Sequence, residues 1–141
     1  MKLIRKFYKY SWLKESMTEY EEWLKKAEED FDTALYLIDG GKMKAGSFYL
    51  QQAAEKALKA VYIKKRKELM KTHDLVFLAR SVGAPSSIQE GCKILTLIYQ
   101  YSRYPDVNEG EEFLEIEKKI SQLVDKTKEV ITWTKQIISK K

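Results

Sequence analysis

A single histidine, His73, stands in this 141-residue chain, and it closely follows a dense run of positive charge in KKRKELMKTHDL, residues 64 to 75. Imidazoles exchange a proton near neutral pH and so suit acid–base work. Lysine and arginine side chains suit phosphate. Lys64, Lys65, Arg66, Lys67 and Lys71 have only Glu68 as local compensation. Two readings follow. Either His73 is a catalytic base beside a phosphate-binding cluster, or it packs in the first turn of a helix. In the second case the lysines are a solvated helix end, where the helix dipole favours cations without any ligand.

The rest of the chain narrows the chemistry. One His and one Cys cannot supply the ligands of a zinc site. The six glycines are scattered and build no phosphate loop, and no serine sits in a nucleophile elbow. Acidic residues alternate with lysines and carry no Glu-x-x-His pattern. Any activity is therefore expected to need no metal and no cofactor. Cys92 cannot form an internal disulfide, which points to a reducing, cytoplasmic compartment, and it reads as a small apolar filler. No apolar run approaches the roughly 20 residues of a membrane span.

Positioning such a site requires a scaffold. With 44% apolar and 33% charged residues, the composition fits one globular, helix-rich domain. Thr18 and Glu21 form a capping-box pattern ahead of an apolar stripe from Tyr20 and Trp23 through Leu35 to Ile38, closed by Gly40-Gly41. A second helix is predicted over about 45–65, with Leu50, Ala53, Ala54, Ala57, Leu58 and Val61 as its buried stripe. A short third helix starts near Thr72 as cap, with Asp74 in the first turn, and ends before Gly83-Ala84-Pro85. Ser87 and Glu90 open a fourth, whose stripe is Ile94, Leu97, Ile98 and Tyr101, and which stops before Pro105. The last runs over about 111–138 along Phe113, Ile116, Ile120, Leu123, Val124, Val130 or Ile131, and Ile137. No segment alternates like a strand. The fold expected is all-α: an antiparallel bundle of four main helices plus a short one.

Charge is unevenly spread. Residues 1–16 hold Lys2, Arg5, Lys6, Lys9 and Lys14 against Glu15, which gives +4 of the net +5. This stretch reads as a basic extension before a domain over 17–141. It lacks the unbroken apolar core and small-residue cleavage site of a secretory signal. It can touch RNA or a membrane surface, be a solvated or partly helical extension, or be an upstream start before Met17.

The segments SFYLQQAAEKALKAVYIKK, KTHDLVFLAR and YSRYPD, in that order, resemble the HEPN domain family. Gln51 to Lys59 is similar to its second-helix signature, Thr72-His73-Asp74-Leu75 to its third-helix start, and Arg103-Tyr104-Pro105-Asp106 to its loop before the last helix. The resemblance covers roughly 18–138 and implies a helical bundle that forms a homodimer. Some members of this family are metal-independent ribonucleases or toxins of toxin–antitoxin pairs. Others are non-catalytic partners of a small nucleotidyltransferase, and the family name reflects a nucleotide-binding role.

Ribonuclease members carry Arg-x(4–6)-His, and here six residues separate Arg66 from His73. The resemblance thus implies His73 as acid–base and Arg66 as phosphate ligand. The local charge adds Lys64, Lys65 and Lys71 as phosphate or nucleotide contacts, and Arg103 can supply a phosphate contact instead of Arg66 if its loop folds toward His73. Arg103 can instead pair with Asp106 to order its loop. Two positions depart from the family pattern. Lys67 follows the arginine where a small polar residue is usual, and Leu75 stands where some toxins carry a modifiable tyrosine.

Overall fold

The computed structural model describes residues 17–102 and 111–140. The extension 1–16 and the loop carrying Arg103 and Asp106 lie outside the described residues. Helix α1 spans Glu19–Asp39, α2 Met43–Arg66, α3 Leu75–Ser81, α4 Ser86–Ser102 and α5 Glu111–Ser139. No strand occurs among the described residues, so the all-α bundle of four long helices and a short one holds.

Local signals set most of the ends. The Thr18 hydroxyl accepts the Glu21 N–H at 3.3 Å and donates to the Glu21 carboxylate at 2.8 Å, which caps α1. Gly41 turns the chain with φ +80, a left-handed conformation that costs glycine little. α2 then returns antiparallel to α1 and packs closely. Ala27 and Ala34 are fully buried in this crossing. A Cβ on Gly46 would stand 2.6 Å from Ile38 Cγ1, so only glycine fits there. Lys135 pairs with Glu28 at 3.3 Å, and Lys64, beside Tyr20 at the start of α1, reaches the carbonyls at the end of α5, so α5 runs antiparallel to α1. The Phe48–Tyr99 ring contact at 5.9 Å puts the end of α4 beside the start of α2. α2 and α5 therefore run the same way, with their C-terminal ends together.

Every other helix packs on α2. The expected stripe of Leu50, Ala53, Ala54, Ala57, Leu58 and Val61 is fully buried. Burial goes further than that stripe, because Ser47, Gln51, Glu55 and Lys59, spaced every four residues, are buried too. In α5, Ile120, Leu123, Val130 and Ile131 face the core.

Three expectations are corrected. The cap of α3 is Asp74, which accepts the Phe77 N–H at 3.0 Å, while the Thr72 hydroxyl accepts the Asp74 N–H at 3.2 Å. His73 consequently precedes the helix and is not in its first turn. α4 begins at Ser86, and the Pro85 carbonyl accepts the Gln89 N–H, so Ser87 already lies inside the helix. Glu90 pairs with Lys93 at 3.5 Å. Leu97 is 56% exposed and does not join the core.

Cys92 is fully buried in α4, as its reading as apolar filler requires. Burial disfavours the thiolate and pushes its pKa up to about 12. The folded protein at pH 8 should therefore not react with a disulfide reagent over minutes, and addition of denaturant should release one thiol equivalent. Fast labelling of the native protein would contradict this burial.

Candidate acid–base site at the α2–α3 connection

α2 ends at Arg66, and Lys67 takes φ 60 with its N–H donated to the Ile63 carbonyl at 2.8 Å. That left-handed residue reverses the chain at a cost of about 1–2 kcal/mol for a residue with a side chain. The connection then runs back along α2. It is fixed at its far end by the Asp74 cap and by Leu75 and Leu78, both fully buried.

This path delivers His73 to Glu55, three turns before the end of α2. Nδ1 of His73 lies 3.1 Å from Glu55 Oε1 and 3.3 Å from Oε2. Lys59, one turn along, places its Nζ 3.2 Å from Glu55 Oε2 and 5.7 Å from the centroid of the Trp23 ring. The Glu55 and Lys59 side chains are only 4% and 7% exposed, whereas that of His73 is 86% exposed. A buried carboxylate thus joins one internal cation to one surface imidazole.

The chemistry follows from donor rules. A carboxylate only accepts, so Nδ1 carries the hydrogen toward Glu55. The other ring nitrogen, Nε2, then keeps its lone pair on the exposed side of the ring. A carboxylate that fixes the tautomer and angle of an imidazole prepares it to take a proton at a defined atom.

The other candidate residues are distributed differently. Arg66 is exposed. It follows Glu55 by eleven residues, which returns it to nearly the same side of α2 but roughly 16 Å further along the axis. The backbone of Arg66 thus lies about three turns of α2 beyond that of Glu55. Lys71 is exposed beside His73 in sequence. Arg103 lies outside the described residues.

Lys64 and Lys65 reach the ends of other helices. Lys64 Nζ donates to the carbonyls of Ile137 at 3.2 Å, Ile138, and Lys140 at 2.6 Å, and lies 5.7 Å from the Tyr20 ring centroid. Those carbonyls lie at the C-terminal end of α5, where intrahelical partners run out, and the Ile137 carbonyl also accepts the Lys140 N–H at 3.3 Å. Lys65 Nζ donates to the carbonyl of Val82 at 2.7 Å, just past α3. Each cation thus sits at the negative end of a helix dipole. Lys64→Met should lower stability by about 1.5–3 kcal/mol, the range for hydrogen bonds to a charged group. It should also speed amide exchange in the last turn of α5. Unchanged exchange there would show that the clamp contributes nothing.

Glu55 and Lys59 were not singled out by sequence. Their signal was a Glu-x-x-x-Lys pair whose glutamate lies only 60° around the helix from Leu58 of the apolar stripe. Among the described residues, no group of three His, Cys, Asp or Glu side chains is placed to hold a metal ion, and no helix is long and apolar enough to cross a membrane.

Comparison with known proteins agrees with this architecture. TT1696 from Thermus thermophilus superposes with a TM-score of 0.73 at 22% identity, over 86% of this chain and 99% of that one. ST0689, an archaeal HEPN homologue, superposes with a TM-score of 0.67 at 30% identity, again over 86% and 99%. Among curated proteins none matches. The family model for the HEPN domain matches residues 20–137, from the first turn of α1 to the last of α5. With that span and the archaeal homologue at 30% identity, the chain belongs to the HEPN domain family.

Proposed function

We propose that this chain is a homodimeric, metal-independent endoribonuclease of a toxin–antitoxin or nucleotidyltransferase-linked system, with His73 as its acid–base residue. The observation that carries the reading is the exposed imidazole tethered through Nδ1 to the buried Glu55 carboxylate. In the proposed step, Nε2 takes the proton of a ribose 2′-hydroxyl. The 2′ oxygen attacks the adjacent phosphorus, the bond from phosphorus to the 5′ oxygen breaks, and a 2′,3′-cyclic phosphate forms. The leaving 5′ oxygen takes its proton from the imidazolium of the second copy.

Arg66 serves as phosphate ligand in this scheme, and Lys71, close to His73 in sequence, adds a second cation. In a dimer Arg66 serves the His73 of its own or of the second copy. Chelator-treated protein should cut single-stranded RNA, and His73→Ala should not. Equal background cleavage by wild type and His73→Ala would defeat the reading.

The exposed cations of this corner favour a second reading, a non-catalytic nucleotide-binding or nucleotidyltransferase-partner module. Lys64 and Lys65 are engaged by carbonyls, which leaves Arg66, Lys67 and Lys71 as the other exposed cations of the corner. Co-purification with a nucleotidyltransferase, without RNA cleavage, would select it.

A further inference from the structure

Two aromatic side chains project from the bundle in contrasting company. Tyr36, on α1, is 80% exposed, and the exposed acids Asp32 and Asp39, four residues before it and three after, share its face of the helix. Phe77, on α3, is 49% exposed, and the residues at the same two spacings are His73 and Arg80, both exposed. A single exposed ring needs no explanation. A ring between an imidazole and a guanidinium has chemistry for company.

α3 turns Phe77 outward because Leu75, Leu78 and Ala79, all fully buried, face the core. Asp74, which follows His73, accepts the Phe77 N–H at 3.0 Å, so one capping bond ties the ring's backbone to the neighbour of the imidazole. Arg80, three residues on, is next to Phe77 on the helix surface. The two ends of α3 fix its course. His73 meets Glu55, whereas the Val82 carbonyl receives Nζ of Lys65 from the last turn of α2. α3 therefore leads from the imidazole toward the exposed Arg66 and Lys67. Along this course come an imidazole, a phenyl ring and then cations. The acids beside it are engaged: Glu68 accepts the Tyr62 hydroxyl at 3.3 Å, and Asp74 caps α3.

That order fits an unpaired polynucleotide. A single strand is gripped where rings stack on its bases while cations beside them meet its phosphates. In a duplex the base faces are already covered, and the ring has nothing to stack on. The core of a protein interface is depleted of charge, which this surface is not. We infer that the outer face of α3 is the track for a single RNA strand, in which Phe77 stacks on a base beside the phosphate at His73 and Arg80 holds a phosphate further along. The inference rests on the reading of His73 as an RNA-cleaving base, and it adds the requirement that the substrate be unpaired at this place.

The test measures binding apart from cleavage. Full-length His73→Ala protein is titrated into a labelled single-stranded RNA of about 12 nucleotides, with fluorescence anisotropy as the readout. Adding Phe77→Leu, which keeps apolar bulk but no ring, should weaken binding about 5- to 150-fold. Phe77→Trp should retain it. Arg80→Gln should reduce the slope of log affinity against log salt by about 0.7, the value for one phosphate contact on a single strand. Phe77→Leu should leave that slope unchanged. Tyr36→Leu, the same loss of a ring among acids, should bind as the parent does. The duplex of the same sequence should be indifferent to Phe77→Leu. Three results would overturn the inference. One is equal affinity of the parent and Phe77→Leu for the single strand. Another is no binding by the parent. The last is a changed oligomeric state of Phe77→Leu in sedimentation, which would assign the ring to a contact between copies. Cleavage by the wild-type protein decides the His73 reading separately. Full cleavage by a Phe77→Leu protein that keeps His73 would leave that reading standing and remove the track. Binding that Phe77→Leu loses, with no cleavage by wild type, would keep the track on a non-catalytic module.

Discussion

Replacing His73 with alanine is expected to abolish RNA cleavage while leaving the bundle folded. General acid–base catalysis supplies about 10²–10⁴ in rate, and this chain holds no second imidazole to substitute. The side chain is 86% exposed, so its removal opens no cavity. What is lost in the fold is one tether to Glu55, whose carboxylate keeps Lys59 at 3.2 Å. Stability should fall by about 1–2 kcal/mol at most, the scale of one hydrogen bond. Activity and urea midpoint measured on the same preparation separate the two effects. A variant that unfolds would assign His73 to architecture, and a folded variant with full cleavage would remove it from the chemistry.

Glu55→Leu should give the largest single-site loss of stability outside the apolar core, about 3–5 kcal/mol. Its cause is the cation left behind. Lys59, 7% exposed and packed over Trp23, would have no carboxylate and little water. A domain of this kind holds only about 5–15 kcal/mol in total, so the change is readily measured. The same principle sets the control. Glu55→Leu/Lys59→Met removes both charges and fills the space with apolar atoms, and most of the lost stability should return. Urea midpoints for the two singles and the double give the coupling energy. If the double is as unstable as Glu55→Leu, the loss arises from packing. The double should still lack cleavage, because nothing then orients the His73 ring.

These two residues also mark where reading the sequence stops. The helix ends were largely legible, since Thr18–Glu21 and Gly40-Gly41 act through bonds and dihedral freedom a few residues apart. Asp74 displaced Thr72 as cap because both can cap, and the choice depends on where Leu75 finds the core. The polar row Ser47, Gln51, Glu55 and Lys59 has the spacing of a solvated helix face. It is buried because other parts of the chain, the His73 connection and Trp23 among them, cover it, and such cover is a long-range fact. Lys64 and Lys65 had the same difficulty. Lysines at a helix end look like local dipole partners or anion ligands, yet their amino groups are held by helix ends 17 to 76 residues away.

The clamp from Lys64 has a kinetic side. α1 and α2 are joined by three residues, so their hairpin closes a short loop and can assemble early. The carbonyls that Lys64 holds arrive 73 to 76 residues later. During synthesis at about 5–20 residues per second, that gap is several seconds. For that interval Lys64 has only the Tyr20 ring beside its ammonium, at the open end of a formed hairpin. The bundle is sealed only when residue 140 emerges, so truncation before Ile137 should leave a chain that collapses and does not lock.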